Sequence, residues 1–196
     1  MALGLGWVSA SAQPSREPGT WTAVGPEGGG ADALALSPDF ATDGVAFGGN
    51  AYWIRQSQTG LGLFKSTDGG RDWTLAATTV ETDTQITGVN ALAVSPAFGA
   101  DGTVFAGTSN WLYQSIDGGV TWRRAEDDGT YVGSLLYGVS AVAVAPDYPV
   151  SGHVMAASGS ALYLSENGGI TWTTQLLPGF GGPLAYSPDL DRKSVV

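Results

Sequence analysis

The chain has no cysteine, one histidine and only eight lysines and arginines among 196 residues. Each shortage closes a class of chemistry. Without thiols there is no disulfide framework, no thiolate metal site and no redox chemistry at sulfur. His153, the single imidazole, falls in a segment read as a strand, where a packed or edge position is expected rather than metal ligation. Against 18 carboxylates the scattered basic residues leave a formal net charge of −10. Nucleic acid and anionic lipid both reward clustered Lys and Arg, so neither is an expected partner. The apolar run at the N-terminus is too short to cross a bilayer, and no membrane span is expected.

The two ends differ from the rest. Residues 1–17 read as a signal-peptide-like or disordered N-terminus: Leu3, Leu5, Trp7 and Val8 lead to Ala10, Ser11 and Ala12, small residues placed for cleavage before Gln13, although the charged leader is missing. The localisation this implies is secreted or cell-surface. Residues 191–196, Asp-Arg-Lys-Ser-Val-Val, break the pattern before them, match a translated frame of a common sequencing adapter and read as a non-native tail.

Between these ends, over residues 18–190, the chain repeats itself about every fifty residues. Ala33-Leu-Ala-Leu-Ser-Pro-Asp-Phe40 returns as Ala91-Leu-Ala-Val-Ser-Pro-Ala-Phe98 and as Ala141-Val-Ala-Val-Ala-Pro-Asp-Tyr148. A fourth copy starts at Leu184, and Gly19-Thr20-Trp21 resembles the tail of a preceding one. Each repeat parses into four strands separated by turn residues. The Ala-x-Ala-x run needs cover on both faces, as an innermost strand would have, and its alanines suit a crowded centre. Asp43-Gly44 and Asp101-Gly102 supply the next turn; their counterpart in the third repeat begins at Ser151.

The third turn of every repeat carries Ser-x-Asp/Asn-Gly-Gly-x-x-Trp, at Ser66, Asp68, Gly70 and Trp73, at Ser115, Asp117, Gly119 and Trp122, and at Ser165, Asn167, Gly169 and Trp172. The Asp or Asn oxygen is suited to accept backbone N–H groups within the turn, while glycine takes conformations other residues avoid. This is the Asp box, and the chain resembles the families that share it: bacterial sialidases, xyloglucan-cleaving glycosidases, sortilin-type receptors and photosystem II assembly-factor propellers. The resemblance implies an all-β propeller of four-stranded antiparallel blades. An incomplete one is expected, with about three full blades and partial strands at each end, and so is an open arc with exposed blade edges. Asn167 cannot supply the charge a hard cation favours, so the Asp box is read as a structural hairpin, with no metal and no cofactor expected.

In such blades the Asp-box turns and the strand one to two turns share one end, and the long loops gather at the other. The loops carry the candidate ligand-binding residues Tyr52, Trp53, Arg55, Gln56, Glu81, Asp83, Glu126, Asp127, Asp128, Tyr131, Tyr137 and Phe180. Aromatic rings can stack on sugars and carboxylates can accept from their hydroxyls. No catalytic residue can be assigned: a glycosidase needs two facing carboxylates, and no pair stands out. The arginine cluster and early Phe-Arg-Ile-Pro-like motif of sialidases are missing, and every glycine cluster falls at a blade turn, leaving no phosphate-binding loop. The expected function is therefore an extracellular module that binds a glycan or a protein. A glycoside hydrolase of xyloglucanase-like or sialidase-like type is the alternative.

Overall fold

The computed structural model describes residues 31–50, 62–76, 86–125, 138–159, 161–177 and 182–187. They form three four-stranded antiparallel sheets, each with its strands side by side in chain order. The first blade holds β1 (Ala33–Leu36), β2 (Ala46–Gly49), β3 (Leu63–Ser66) and β4 (Thr74–Leu75). The second holds β5 (Val89–Val94), β6 (Val104–Thr108), β7 (Leu112–Ser115) and β8 (Arg123–Arg124). The third holds β9 (Ala141–Val144), β10 (Val154–Ser158), β11 (Ala161–Ser165) and β12 (Thr173–Leu176). β5 packs beside both β1 and β9, so the Ala-x-Ala-x strands are the innermost of adjoining blades. The all-β, propeller-type architecture expected from the repeats is the one observed.

One local element departs from the sequence reading. The connection between the first two strands is not a bare Asp-Gly turn but a single helical turn: α1 (Phe40–Asp43), α2 (Phe98–Asp101) and α3 (Tyr148–Ser151). Each stops at a left-handed glycine, Gly44, Gly102 or Gly152, whose N–H bonds back to the aromatic carbonyl four residues earlier. The same glycines' carbonyls accept the N–H groups of Gly69, Gly118 and Gly168 at 2.9–3.0 Å. That bond staples the helical turn to the Asp-box turn of its own blade and puts both at one end.

Strand register sorts the side chains into two faces. Ala35, Phe47 and Lys65 lie in one row across the first blade, Ala93, Phe105, Gln114 and Arg123 in the second, and Ala143, Met155, Leu164 and Thr173 in the third. The first two of these rows face the following blade, and Met155 of the third belongs to a cluster against which Leu177, Leu184 and Tyr186 pack. Phe47 meets Phe98 and Trp122 edge-on at centroid distances of 5.9 and 6.4 Å; Phe105 meets Tyr148 and Trp172 at 6.2 and 6.5 Å. Such pairs add about 0.5–1.5 kcal/mol each beyond the area they bury. The core is thus a series of inter-blade layers, and Trp122 and Phe47 are fully buried in the first of them.

Candidate functional site

The two ends of the blades differ chemically. At the Asp-box end, Ser66 Oγ accepts the Gly70 N–H at 2.9 Å and donates to Asp68 Oδ1 at 2.9 Å. Asp68 Oδ1 in turn accepts the N–H groups of Arg71 and Asp72 at 2.9 and 3.0 Å, and Trp73 Nε1 donates to the Gly70 carbonyl at 3.1 Å. The second corner repeats this through Ser115, Asp117, Gly119 and Trp122. In the third, Asn167 Oδ1 takes over as acceptor for the Thr171 N–H at 2.9 Å, and Gly169 and Trp172 bond as their counterparts do. Two things differ: no Ile170 bond to Asn167 matches those that Arg71 and Val120 make, and the side-chain link changes direction. The Thr121 hydroxyl donates to Asp117 Oδ2, whereas the Asn167 amide donates to the Thr171 hydroxyl.

These bonds act on the carboxyl groups. The Asp72 N–H and the Ser66 hydroxyl hold the Asp68 carboxyl below its ordinary range. Burial pushes the Asp117 carboxyl upward, but donors from Thr121, Ser115 and Val120 outweigh it and the net direction is downward. In both corners the charge is committed to the backbone of its own turn. Beside the corners, Asp43 and Asp101 each accept a Ser hydroxyl and an N–H two residues on. An open groove of about 370 Å³ runs between α2 and α3, lined by Ala97, Ala100, Asp101, Thr103, Tyr148, Pro149 and Gly168. Its polar groups are occupied locally: both Asp101 oxygens accept bonds, and the Tyr148 hydroxyl donates to the Gly168 carbonyl. Among the described residues no three His, Cys, Asp or Glu side chains converge as a metal site requires.

The opposite end is a frame from which the long connections leave. Buried Asn50 accepts the Gly62 N–H through its side chain, and its carbonyl accepts the Val89 N–H. Thr108 Oγ1 closes the β6–β7 turn by accepting the N–H groups of Asn110 and Trp111 and donating to the Trp111 carbonyl. Asn90 reaches from β5 to the Val139 carbonyl at 3.1 Å and so ties the second blade to the start of the third. On the rim the Arg124 guanidinium lies 4.4 Å from the centre of the Trp111 ring, a cation–π stack. Neither residue was a candidate from sequence. Arg124 reads as a strand-four residue, and only the β7–β8 pairing carries it back to Trp111. Tyr52, Trp53, Arg55, Gln56, Glu81, Asp83, Glu126, Asp127, Asp128, Tyr131, Tyr137 and Phe180 lie outside the described residues, in the connections that this frame anchors. Among the described residues no helix is long and apolar enough to cross a membrane.

No family model and no curated protein matches the chain. Solved structures do. An ancestral GH74 enzyme aligns with 82% of the chain at a TM-score of 0.57 and 21% identity, the chain spanning 20% of that structure. U3-55K aligns with 79% of the chain at a TM-score of 0.54 and 13% identity, the chain spanning 42% of it. The GH74 xyloglucanase of Xanthomonas campestris aligns with 74% of the chain at a TM-score of 0.48 and 14% identity, the chain spanning 18% of it. At these identities the likeness is one of fold, and the fold is a β-propeller.

Proposed function

We propose that the chain is an extracytoplasmic propeller module that binds a glycan or a protein through its loop end. The observation that carries this reading is the division between the two ends. The Asp-box carboxylates are absorbed by their own turns, whereas the loop end combines a hydrogen-bonded rim with connections rich in aromatic and acidic residues. A rigid scaffold with variable loops is the general arrangement for recognition. Tyr52, Trp53, Tyr131 and Tyr137 offer ring faces for sugar stacking, and Glu81, Asp83, Glu126, Asp127 and Asp128 offer acceptors for hydroxyls. Within this reading residues 18–190 form the propeller part and residues 1–17 a signal-peptide-like or disordered N-terminus. The test is a glycan array run beside a chromogenic glycoside panel. Glycan binding that Trp53→Ala or Tyr131→Ala removes, and Asp68→Asn leaves intact, supports it; silence on the array and in a pull-down with secreted proteins rejects it.

A glycoside hydrolase is the second reading, favoured by the likeness to an ancestral GH74 enzyme. It needs two carboxylates roughly 5–9.5 Å apart across a sugar. The loop acids Glu81, Asp83, Glu126, Asp127 and Asp128 are a source of such a pair that the Asp-box chemistry leaves available. Turnover on the glycoside panel, abolished by a single loop carboxylate-to-amide change, selects this reading over simple binding.

A further inference from the structure

We infer that Asn167 is a site of self-modification, gated by the third Asp-box corner: when that corner opens, the backbone nitrogen of Gly168 converts Asn167 to aspartate or isoaspartate. The three corners share a sequence frame but not a chemistry. Asp68-Gly69, Asp117-Gly118 and Asn167-Gly168 hold the same place in their turns, and Asn167-Gly168 is the one Asn-Gly pair in the sequence. Asn50, Asn90 and Asn110 precede Ala, Ala and Trp. A glycine has no Cβ to hinder the approach of its nitrogen to the side chain before it, and its backbone turns readily once released. An amide carbon is open to attack by that nitrogen, whereas an ionised carboxylate is not. The turns of the first two blades hold the Asp68 and Asp117 carboxyls below their ordinary range and so keep them ionised. Asn167 carries an uncharged amide at an exposed position.

The reaction balances with water alone. The Gly168 nitrogen gives up its proton and bonds to Asn167 Cγ. The Cγ–Nδ2 bond breaks, Nδ2 leaves as ammonia, and a five-membered cyclic imide remains. Water then opens the ring on either side. Cleavage at Cγ yields aspartate on the original backbone; cleavage at the main-chain carbonyl carbon leaves isoaspartate, with the chain running through the side chain. The products have different consequences. Aspartate meets the arrangement of the second corner, since Thr171 stands where Thr121 donates its hydroxyl to Asp117 Oδ2. Isoaspartate adds a carbon to the main chain between Ser165 and Gly169, whose Oγ and N–H are bonded at 2.9 Å, and so loosens the turn.

In the closed corner both reactants are held. The Gly168 N–H donates to the Gly152 carbonyl at 2.9 Å, while the Gly168 carbonyl accepts Gln114 Nε2 at 2.7 Å and the Tyr148 hydroxyl at 3.2 Å. Asn167 Oδ1 accepts the Thr171 N–H at 2.9 Å and the Ser165 hydroxyl at 3.1 Å, and Nδ2 donates to Thr171 Oγ1 at 2.8 Å. Attack consumes the hydrogen that staples this corner to α3 and requires the pinned amide to turn toward Gly168. The reaction therefore waits on local opening, and the ratio of its rates in the folded and unfolded chain is the fraction of time the corner is open.

The test follows residue 167 in the full chain by mass spectrometry of chymotryptic peptides, with chromatography to separate aspartate from isoaspartate. Samples are held in mildly alkaline buffer, native and in urea, beside a synthetic peptide of residues 163–172. The expected result is conversion in urea at the peptide's rate and at least about tenfold more slowly in the native chain. Isoaspartate at Asp68 and Asp117 should lag behind in the same urea sample. Gln114→Ala releases the Gly168 peptide and Thr171→Val the Asn167 amide. Each should raise the native rate by about threefold or more, as one lost hydrogen bond does to an opening equilibrium, and leave the rate in urea unchanged. Amide exchange of the first blade separates this local opening from unfolding of the whole chain. Survival of Asn167 in urea while the peptide converts overturns the proposal. So does a native rate equal to that in urea, or one that neither substitution alters.

Discussion

The alanine substitution of the last Asp-box glycine separates two costs that usually arrive together. Gly70, Gly119 and Gly169 have φ of +84°, +85° and +88°, so the backbone strain that Ala introduces is common to all three, about 1–2 kcal/mol. The steric term is not common. At Gly119 the new Cβ would lie 2.5 and 3.1 Å from Phe47 Cε1 and Cζ, and at Gly169 it would lie 2.7 and 3.0 Å from the same atoms of Phe105. Phe47 and Phe105 are fully buried and hemmed in by two further rings each, so neither can swing aside freely. Overpacking of this kind costs about 1–3 kcal/mol. At Gly70 the nearest contact among the described residues, 3.7 Å, is ordinary van der Waals distance and adds nothing. Urea unfolding of the three single variants is therefore expected to rank Gly119→Ala and Gly169→Ala below Gly70→Ala by about 1–3 kcal/mol, which at this chain length is about 2–4 °C of Tm per kcal/mol. Pairing Phe47→Ala with Gly119→Ala removes the clash, and the double variant should lose less than the two singles summed. Equal losses at the three glycines, or strict additivity of the pair, would refute the claim that the inserted ring makes the second and third corners glycine-dependent.

Other consequences can be measured on the same chain. Gln114→Ala removes a buried donor to the third blade and the acceptor for Arg123 Nη2, and should cost about 1–3 kcal/mol in denaturant unfolding; Lys65→Ala, at a part-buried link, should cost less. The Asp68 and Asp117 carboxyls titrate below 3.8 in the folded state, so their contribution is complete above that pH and disappears as pH falls through the lowered values. An Asp68→Asn, Asp117→Asn variant should retain the fold, as Asn167 does in the third corner, and show a shallower loss of stability between pH 4 and pH 2 by circular dichroism. Burial, aided by the charges of Asp147 and Glu166, raises the Tyr186 hydroxyl to about 12 from 10.0. A raised value for an acid that is neutral when protonated means stability that is complete below pH 10 and lost as pH climbs toward 12. Burial also raises the Tyr148 and Tyr163 hydroxyls, so tyrosinate absorbance should show several late-titrating rings, the latest of which Tyr186→Phe removes.

What the sequence displayed and what it hid divide by distance along the chain. Ser66, Asp68, Gly70 and Trp73 satisfy one another within eight residues, so the corner is a local object whose triple recurrence is visible in a string of letters. The Ala-x-Ala-x strands are legible for a related reason, since two-sided cover leaves an unbroken apolar run. The helical turns α1 to α3 were not. Pro-Asp-Phe followed by Asp-Gly supports either a tight turn or one turn of helix, and the helical turn forms in all three blades, at Phe40 without a preceding blade's ring among the described residues as at Phe98 and Tyr148 with one. The bonds from Lys65 to Gly118 and from Gln114 to Gly168 join residues 53 and 54 positions apart and carry no local signature. The Arg124–Trp111 stack hides similarly, behind a strand pairing whose register no motif announces. The loop candidates, Trp53 and Tyr131 among them, belong to connections whose lengths differ from one repeat to the next, so no internal comparison could sharpen them.

The third repeat shows what the repeated polar residues are for, because it changes several and keeps the geometry. In the first two blades a serine hydroxyl, Ser37 or Ser95, donates to Asp43 or Asp101, whose other oxygen accepts the N–H two residues on. In the third the serine has become Ala145 and the aspartate Ser151. The Ser151 hydroxyl now accepts the His153 N–H while donating to Asp147, so the backbone group is satisfied by a different chemistry at the same point. The exchange of Asp for Asn167 two strands later follows the same logic, with an amide oxygen replacing a carboxylate and the neighbouring threonine reversing its role. A cation site or a catalytic acid would not survive either exchange, since both remove negative charge; a turn that needs an acceptor survives both. The recurring residues therefore specify where each blade bends. The proposed binding reading accordingly draws its candidates from residues that do not recur, at the loop end.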